Sequence, residues 1–343
     1  MTETREPALH RLLLSATTQR QMEALLDTVE VAPALTAERG GMASRAVIAQ
    51  ALNLLLIEDL LARVPSGQQY VQECKANGRK IVFDHGALRT VALAGMGNLP
   101  SGHEAIGRIL APLGYEVAAL YPLEKLKMTG RAYTHVDYPE DLPQFFVSEL
   151  HTERFSSELQ SVVARVTSTS RDPLTPVHQD LLKELSERRA LPMEKARQLI
   201  PALMYCFRRH HSAPLLSDYE MLLTESKEMA WIATEGNAFN HATDRVEHLD
   251  ALVEDLRRRS KPLKDKIEVS GSGRVRQTAF HADKVEREFV NTHGNPITRM
   301  VPGSFFEFIE RAKVRDDARG GTRMDLAFDS SNAQGIFKMT AAA

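Results

Sequence analysis

Phe239-Asn240-His241-Ala242-Thr243-Asp244-Arg245-Val246 has an earlier counterpart in Phe83-Asp84-His85-Gly86-Ala87-Leu88-Arg89-Thr90. Each reads as a strand end carrying Asn or Asp, followed by His, a small residue, two free positions and Arg. A second echo follows each copy, Thr134-His135-Val136-Asp137 in the first and Phe280-His281-Ala282-Asp283 in the second. A third aligns Gln144-Phe145-Phe146-Val147 with Ser304-Phe305-Phe306-Glu307. The landmarks keep their order over 62 positions from His85 to Val147 and 66 from His241 to Glu307. Self-similarity of this kind predicts a duplicated module.

Two small β-rich modules facing each other offer one central metal site. His85 and His241 would reach it from equivalent strands, and Glu307 from the last strand of the second copy. Val147, its expected counterpart in the first copy, cannot ligate anything. Two imidazoles and one carboxylate with open positions are the set used by non-haem Fe(II) oxygenases. Such a site leaves room for a 2-oxo acid, through its carboxylate and keto oxygens, and for O2. Zn(II) at tetrahedral geometry would instead suit hydrolysis, and residue types alone leave both metals open.

Arg89 and Arg245 lie four residues after the two histidines, so on a continuing strand they share the histidine face. A guanidinium there could grip a substrate carboxylate in a bidentate pair, or each arginine could form a salt bridge within its own module. Arg276 and Gln277 fall on a strand beside the expected site and are further candidates for substrate contact. His135 and His281 echo each other and read as structural or supporting residues rather than ligands.

The bulk properties narrow the functional classes. A formal net charge of −2 over 343 residues creates no field that points to nucleic acid or an anionic membrane. Two cysteines, Cys74 and Cys206, are too few for a disulfide framework and lack metal-type spacing. The opening Met1-Thr2-Glu3-Thr4-Arg5-Glu6 has no secretory character, and the apolar run Ala51 to Leu61 is broken by Asn53, Glu58 and Asp59. The expectation is a soluble cytoplasmic protein. Ser270-Gly271-Ser272-Gly273 reads as a hairpin turn, not a phosphate loop, because no Walker lysine follows.

Hydrophobic spacing gives an α+β protein. Residues 1–78 form an N-terminal helical region, with Ser44 as a helix cap. Residues 79–150 form the first strand-helix-three-strand (βαβββ) module, its first strand running Ile81 to His85 and its helix Gly102 to Leu113. Residues 151–229 are a helical insertion ending near Arg208-Arg209-His210-His211. Residues 230–314 form the second module, opening at Trp231-Ile232-Ala233-Thr234 and closing with a strand from Phe305 to Val314. Residues 315–343 are a tail that could close the site. Paired modules can assemble within one chain or across two, so a homodimer is left open.

The repeated module with His85, His241 and Glu307 resembles the vicinal oxygen chelate superfamily, which includes glyoxalases and extradiol dioxygenases. Phe306-Glu307-Phe308-Ile309-Glu310-Arg311 is similar to the last ligand strand of 4-hydroxyphenylpyruvate dioxygenase. The fuller resemblance is to the 2-oxoadipate dioxygenase/decarboxylase family. It is carried by His85-Gly86-Ala87-Leu88-Arg89, Asn240-His241, Arg276-Gln277-Thr278, the Glu307 strand and Phe207-Arg208-Arg209-His210. That resemblance implies a vicinal-oxygen-chelate-type central sheet and Fe(II) held by His85, His241 and Glu307. It also implies Arg89 as the contact for a substrate carboxylate. The implied reaction uses O2 to convert 2-oxoadipate to D-2-hydroxyglutarate with loss of CO2, in lysine catabolism. The tail segment Asn332 to Lys338 is similar to the closing helix of hydroxyphenylpyruvate dioxygenase. The competing readings are a glyoxalase-like isomerase or hydrolase using Zn(II) or Ni(II), and a metal-free binding protein on the same fold.

Overall fold

Phe83 to Ala92 is buried along nearly its whole length, which is what a strand in the middle of a two-sided sheet requires. The computed structural model describes residues 5–316 and 320–329. Within it this segment is β1 of a curled eight-stranded sheet. The others are β2 (Tyr115–Leu123), β3 (Met128–His135), β4 (Gln144–His151), β5 (Phe239–Arg245), β6 (Glu268–Val269) and β7 (Val275–Ala279). A hairpin of β8 (Lys284–Val290) and β9 (Pro296–Pro302) precedes the last sheet strand, β10 (Phe305–Arg311). The sheet order is β2-β3-β4-β1-β5-β10-β7-β6.

That order is two βαβββ modules joined edge to edge. The first supplies β1, a helix at Glu104–Leu110, then β2 to β4. The second supplies β5, a helix at Leu249–Arg258, then β6, β7 and β10. β1 pairs with β4 in parallel and β5 with β10 in parallel, while β1 and β5 run antiparallel at the seam. The fold is α+β, with helices before the first module and between the two.

The back of the sheet rests on helices. The helix Arg45–Arg63 is capped by the Ser44 hydroxyl, which accepts from Val47 N at 3.3 Å. It is apolar around most of its circumference, as a helix enclosed in a core must be. Leu88, Phe145, Val147, Phe239, Phe306 and Phe308 pack in the same core as this helix, so they mark the back face. Strand alternation therefore sends His85, Ala87, Phe146 and Glu307 to the front.

Several expected boundaries are corrected. The first repeat motif lies inside β1, not at a strand end, and the first module's helix is shorter than Gly102 to Leu113. Trp231 to Thr234 belong to the helix Lys227–Glu235, capped by Ser226 Oγ, and do not open the second module as a strand. The last strand ends at Arg311, and Lys313–Arg315 forms a separate short ladder with Thr322–Met324. The hairpin β8–β9 has no counterpart in the first module. It docks on the helical insertion through Phe289, whose ring lies 5.0 Å from that of Tyr219, and through Arg287, which forks onto Glu235 at 2.6 and 2.7 Å. No helix among the described residues is long and apolar enough to cross a membrane.

Val147 is not the counterpart of Glu307. In parallel register His85 faces Gln144 and Ala87 faces Phe146, whereas His241 faces Phe305 and Thr243 faces Glu307. The two copies are therefore offset by one residue from the sequence match, and Phe146 stands where the second module has Glu307. Val147 turns into the rear core.

Gly86 explains the small residue after the first histidine. A Cβ built there would lie 2.3 Å from the Phe239 ring, which crosses the seam behind His85. Gly86→Ala is expected to lower unfolding stability by about 1–3 kcal/mol, since overpacking this contact must displace Phe239. Denaturant unfolding checks this, and an unchanged midpoint contradicts the packing account.

Candidate metal centre

The seam between the modules brings the two repeats together at their histidines. Across it His85 pairs with Thr243 and Ala87 with His241, and β10 adds Glu307 beside Thr243. His241 Nε2 lies 2.9 Å from Glu307 Oε2, His85 Nε2 lies 3.4 Å from His241 Nε2, and His85 Nε2 lies 3.7 Å from Glu307 Oε2. One ligand atom from each residue falls within 4.8 Å of the others, and all three residues are buried, at 3%, 6% and 1% exposure. Ligands about 2.1 Å from a common ion at right angles stand about 3 Å apart, so this spacing suits a shared cation. Glu307 Oε1 has no hydrogen-bond partner among the described residues, an arrangement costly to keep buried unless something else enters. The donor set fits a divalent metal with open positions.

The surrounding residues fix the ligands. A register irregularity between Phe83 and His85 lets Asp84 lie beside its own neighbour's ring, with Oδ1 2.8 Å from His85 Nδ1. A carboxylate can only accept, so Nδ1 carries the proton and Nε2 presents its lone pair to the triad. Burial alone would raise the Asp84 carboxyl, but the Arg311 charge and the His85 hydrogen bond outweigh it and hold it far below the ordinary range. Arg311 forks onto Asp84 with Nε to Oδ2 and Nη2 to Oδ1, both 2.9 Å. Thr243 Oγ1 lies 3.2 Å from Glu307 Oε2 and 3.2 Å from His85 Nε2. Burial lowers the pKa of His241 against the opposing pull of Glu307, which keeps the imidazole neutral and able to ligate.

Arg89 lies on the His85 face of β1, as its spacing predicts, and is fully buried. Its guanidinium sits 4.9 Å from the centre of the Trp231 ring, a cation–π contact. Burial, opposed by Glu228, brings its pKa down to about 10, so it stays charged at neutral pH. Its charge also contributes to the lowered pKa of His241. Gln277 pairs with Ile309 and Glu268, which puts it on the front face two residues from the position opposite Glu307. Lys264 pairs with Glu268 there. Burial raises the pKa of Glu268, and the nearby Glu307 adds to the rise.

Arg276 does not belong to this face. Adjacent to Gln277 on the same strand, it points the other way and forks onto Asp250 at 2.9 and 2.7 Å, with Glu310 at 3.4 Å. The expectation that Arg276 lines the site is corrected by strand alternation. Arg245 lies at the rim, donating to the Glu140 carbonyl at 3.4 Å with its guanidinium 3.7 Å from Asp84. His281 is exposed, and Arg208 to His211 follow the end of their helix. Asn332 to Lys338, read as a closing segment, lie outside the described residues. Three residues that sequence reading passed over surround the triad: Asp84, Thr243 and Arg311. Thr243 and Arg311 stand two residues from His241 and four from Glu307, so period-two spacing was the available signal.

The curled sheet of paired βαβββ modules with a candidate metal triad defines a glyoxalase-superfamily fold. It superposes on a glyoxalase superfamily protein of Ralstonia eutropha JMP134 with a TM-score of 0.88, at 50% identity over 94% of this chain and 98% of that one. The family model described as 2-oxoadipate dioxygenase/decarboxylase matches residues 50–338, and the chain belongs to that family. It is 25% identical over 306 residues to the chloroplastic/amyloplastic 2-oxoadipate dioxygenase/decarboxylase of Oryza sativa subsp. japonica, covering 82% of this chain and 75% of that protein. The hydroxyglutarate synthase of Oryza sativa, crystallised with 2-oxoadipate, shares the fold with a TM-score of 0.66 at 20% identity over 87% of this chain and 93% of that one.

His135 ends β3 and is fully buried. Its Nδ1 accepts from Asp137 N at 3.1 Å and Tyr138 N at 3.3 Å, and its ring packs against Tyr115 at 5.1 Å. Burial, opposed by Asp137, lowers its pKa from 6.5 to about 4. As pH falls, the unfolded chain takes up this proton first, so the stability is present above about 6.5 and is lost progressively toward about 4. His135→Gln is expected to reduce the stability lost between pH 7 and pH 4.5 in urea unfolding, leaving the shares of the other histidines whose pKa burial lowers, His211 (to about 4), His10, His210 and His241 among them. An unchanged acid loss contradicts this assignment.

Proposed function

We propose that the protein is a non-haem Fe(II) dioxygenase/decarboxylase acting on a 2-oxo dicarboxylic acid, with 2-oxoadipate the first candidate. The observation that carries this reading is the convergence of His85, His241 and Glu307 on one buried face that also holds the charged Arg89. In the balanced reaction 2-oxoadipate and O2 give 2-hydroxyglutarate and CO2, both oxygen atoms being retained in the products. Family membership and the 2-oxoadipate bound in the rice hydroxyglutarate synthase support that substrate class.

Bound iron(II) would supply open coordination positions for a 2-oxo acid and O2 together with the redox chemistry that O2 requires. The chain's own residues prepare the rest. Asp84 keeps the His85 proton on Nδ1, and the Thr243 hydroxyl holds one carboxylate oxygen of Glu307. Arg89 offers an already desolvated guanidinium, so pairing with a substrate carboxylate costs little further dehydration. Ala87, Ala132 and Phe146 form an apolar patch on the first-module side, with Tyr121 and Phe328 packed on it, which keeps water from the reacting face. Gln277 remains a candidate substrate contact on the second-module side. The first module brings Phe146, not a second carboxylate, to the position matching Glu307, which disfavours a glyoxalase-like isomerase.

Anaerobic loading with Fe(II), followed by O2 uptake and CO2 release with a panel of 2-oxo dicarboxylates, tests the proposal. Wild type is expected to consume O2 with 2-oxoadipate, whereas His241→Ala and Glu307→Ala lose both iron binding and turnover. Arg89→Met should keep the metal while kcat/KM falls on the order of 10- to 100-fold. Iron bound without O2 uptake across the panel, or turnover that proceeds without O2, would overturn the reading.

A further inference from the structure

Arg311 joins two parts of the site that are far apart in the chain. On one side its Nε and Nη2 hold Asp84 at 2.9 Å, and Asp84 holds His85 Nδ1 at 2.8 Å. On the other side its Nη1 donates to the carbonyls of Asp325 at 3.0 Å and Ala327 at 2.8 Å. The same guanidinium stacks 4.9 Å from the centre of the Phe328 ring. Phe328 in turn lies edge-on to His85, 4.9 Å between ring centres, and 5.0 Å from Phe146.

Residues 325–329 thus cross the front of the sheet as a strap. Its last two residues are tied down on two sides. Phe328 N donates to the Tyr121 hydroxyl on β2 at 2.9 Å, and Gly271 N, in the β6–β7 turn, donates to Asp329 Oδ2 at 2.9 Å. Before these two ties, at Asp325 and Ala327, Arg311 supplies the buried anchor. A guanidinium is suited to this because its planar set of donors can serve a carboxylate on one edge and two carbonyls on another, which an ammonium cannot do at once.

We infer that Arg311 is a positioning residue that couples the orientation of His85 to closure of the strap 325–329 over the metal centre. The coupling runs through one rigid group. When the strap lifts to admit a substrate, Arg311 loses two carbonyl acceptors and the Phe328 face, and its grip on Asp84 is left without that support. When a metal fixes the His85 ring, Asp84 and Arg311 are held in place, and the strap finds its anchor already set. Closure and metal binding therefore reinforce each other, and by linkage the effect is reciprocal. This inference rests on the proposed metal centre and adds a connection between that centre and its cover.

The test uses Co(II) as a spectroscopic probe on the full chain, with amide hydrogen exchange of residues 325–329 measured with and without the metal. In wild type, Co(II) should slow exchange in the strap. Arg311→Met is expected to weaken Co(II) binding on the order of 10- to 100-fold, to change the Co(II) absorption bands, and to remove the metal-dependent protection. Arg311→Lys should recover most of the affinity by pairing with Asp84 but not the strap protection. Should Arg311→Met fail to fold because Asp84 is left uncompensated, Arg311→Lys, which keeps a positive charge on Asp84, is read alone: the coupling predicts near wild-type Co(II) affinity with the metal-dependent strap protection lost. Wild-type affinity, bands and strap exchange in folded Arg311 variants overturn the coupling alone. No Co(II) binding by wild type overturns the coupling together with the metal centre.

Discussion

Everything at the centre of this molecule depends on which side chains share a face at the antiparallel seam between β1 and β5. A one-residue slip would exchange His85 and His241 with their rear-facing neighbours and send both imidazoles into the core. The register is held from behind. Leu88, Phe239, Phe306 and Phe308 pack in one core with the helix Arg45–Arg63, and the Phe239 ring fits only because position 86 lacks a side chain. Hydrophobic packing on one face thus fixes polar chemistry on the other.

The front face carries charges that stability alone would not select. Asp84, Arg89, Glu307 and Arg311 are all buried. Removing such groups from water is expensive, and an ion pair such as Asp84–Arg311 does little more than offset that cost. A cluster of this kind is better explained by what it orients than by what it stabilises. Asp84 fixes a tautomer, Thr243 fixes a carboxylate, and among the described residues Glu307 Oε1 is left without a partner. A second buried cluster behind the seam has a different character. There Asp244 accepts from Tyr70, Arg79 and the backbone of Val82, so its bonds close within the protein and tie β5 to the segment before β1.

The sequence carried the duplicated architecture because repeated residues mark equivalent strands. The two histidines and Glu307 stood out because chemistry-bearing side chains interrupted otherwise apolar strands. What it did not carry follows from period-two geometry and from irregularity. Matching Val147 with Glu307 missed a one-residue offset, and only hydrogen-bond register reveals Phe146 as the counterpart. Arg276 and Gln277 are neighbours, so one had to face away, and nothing local said which. Asp84 reaches the ring of His85 only through a bulge, which sequence periodicity conceals. The hairpin β8–β9 breaks the repeat because it serves the helical insertion, packing Phe289 on Tyr219. Trp231 to Thr234 read as a strand by residue type, but the Ser226 cap and burial between the modules make them a helix.

The central claim is that two related halves of one chain present three unequal ligands to a single cation. Anomalous diffraction at the iron edge, on crystals grown anaerobically with Fe(II), examines this most directly. The account predicts one strong peak about 2.0–2.2 Å from His85 Nε2, His241 Nε2 and a Glu307 carboxylate oxygen. A peak that omits any of the three, or an ion bound elsewhere while this face stays empty, would contradict it.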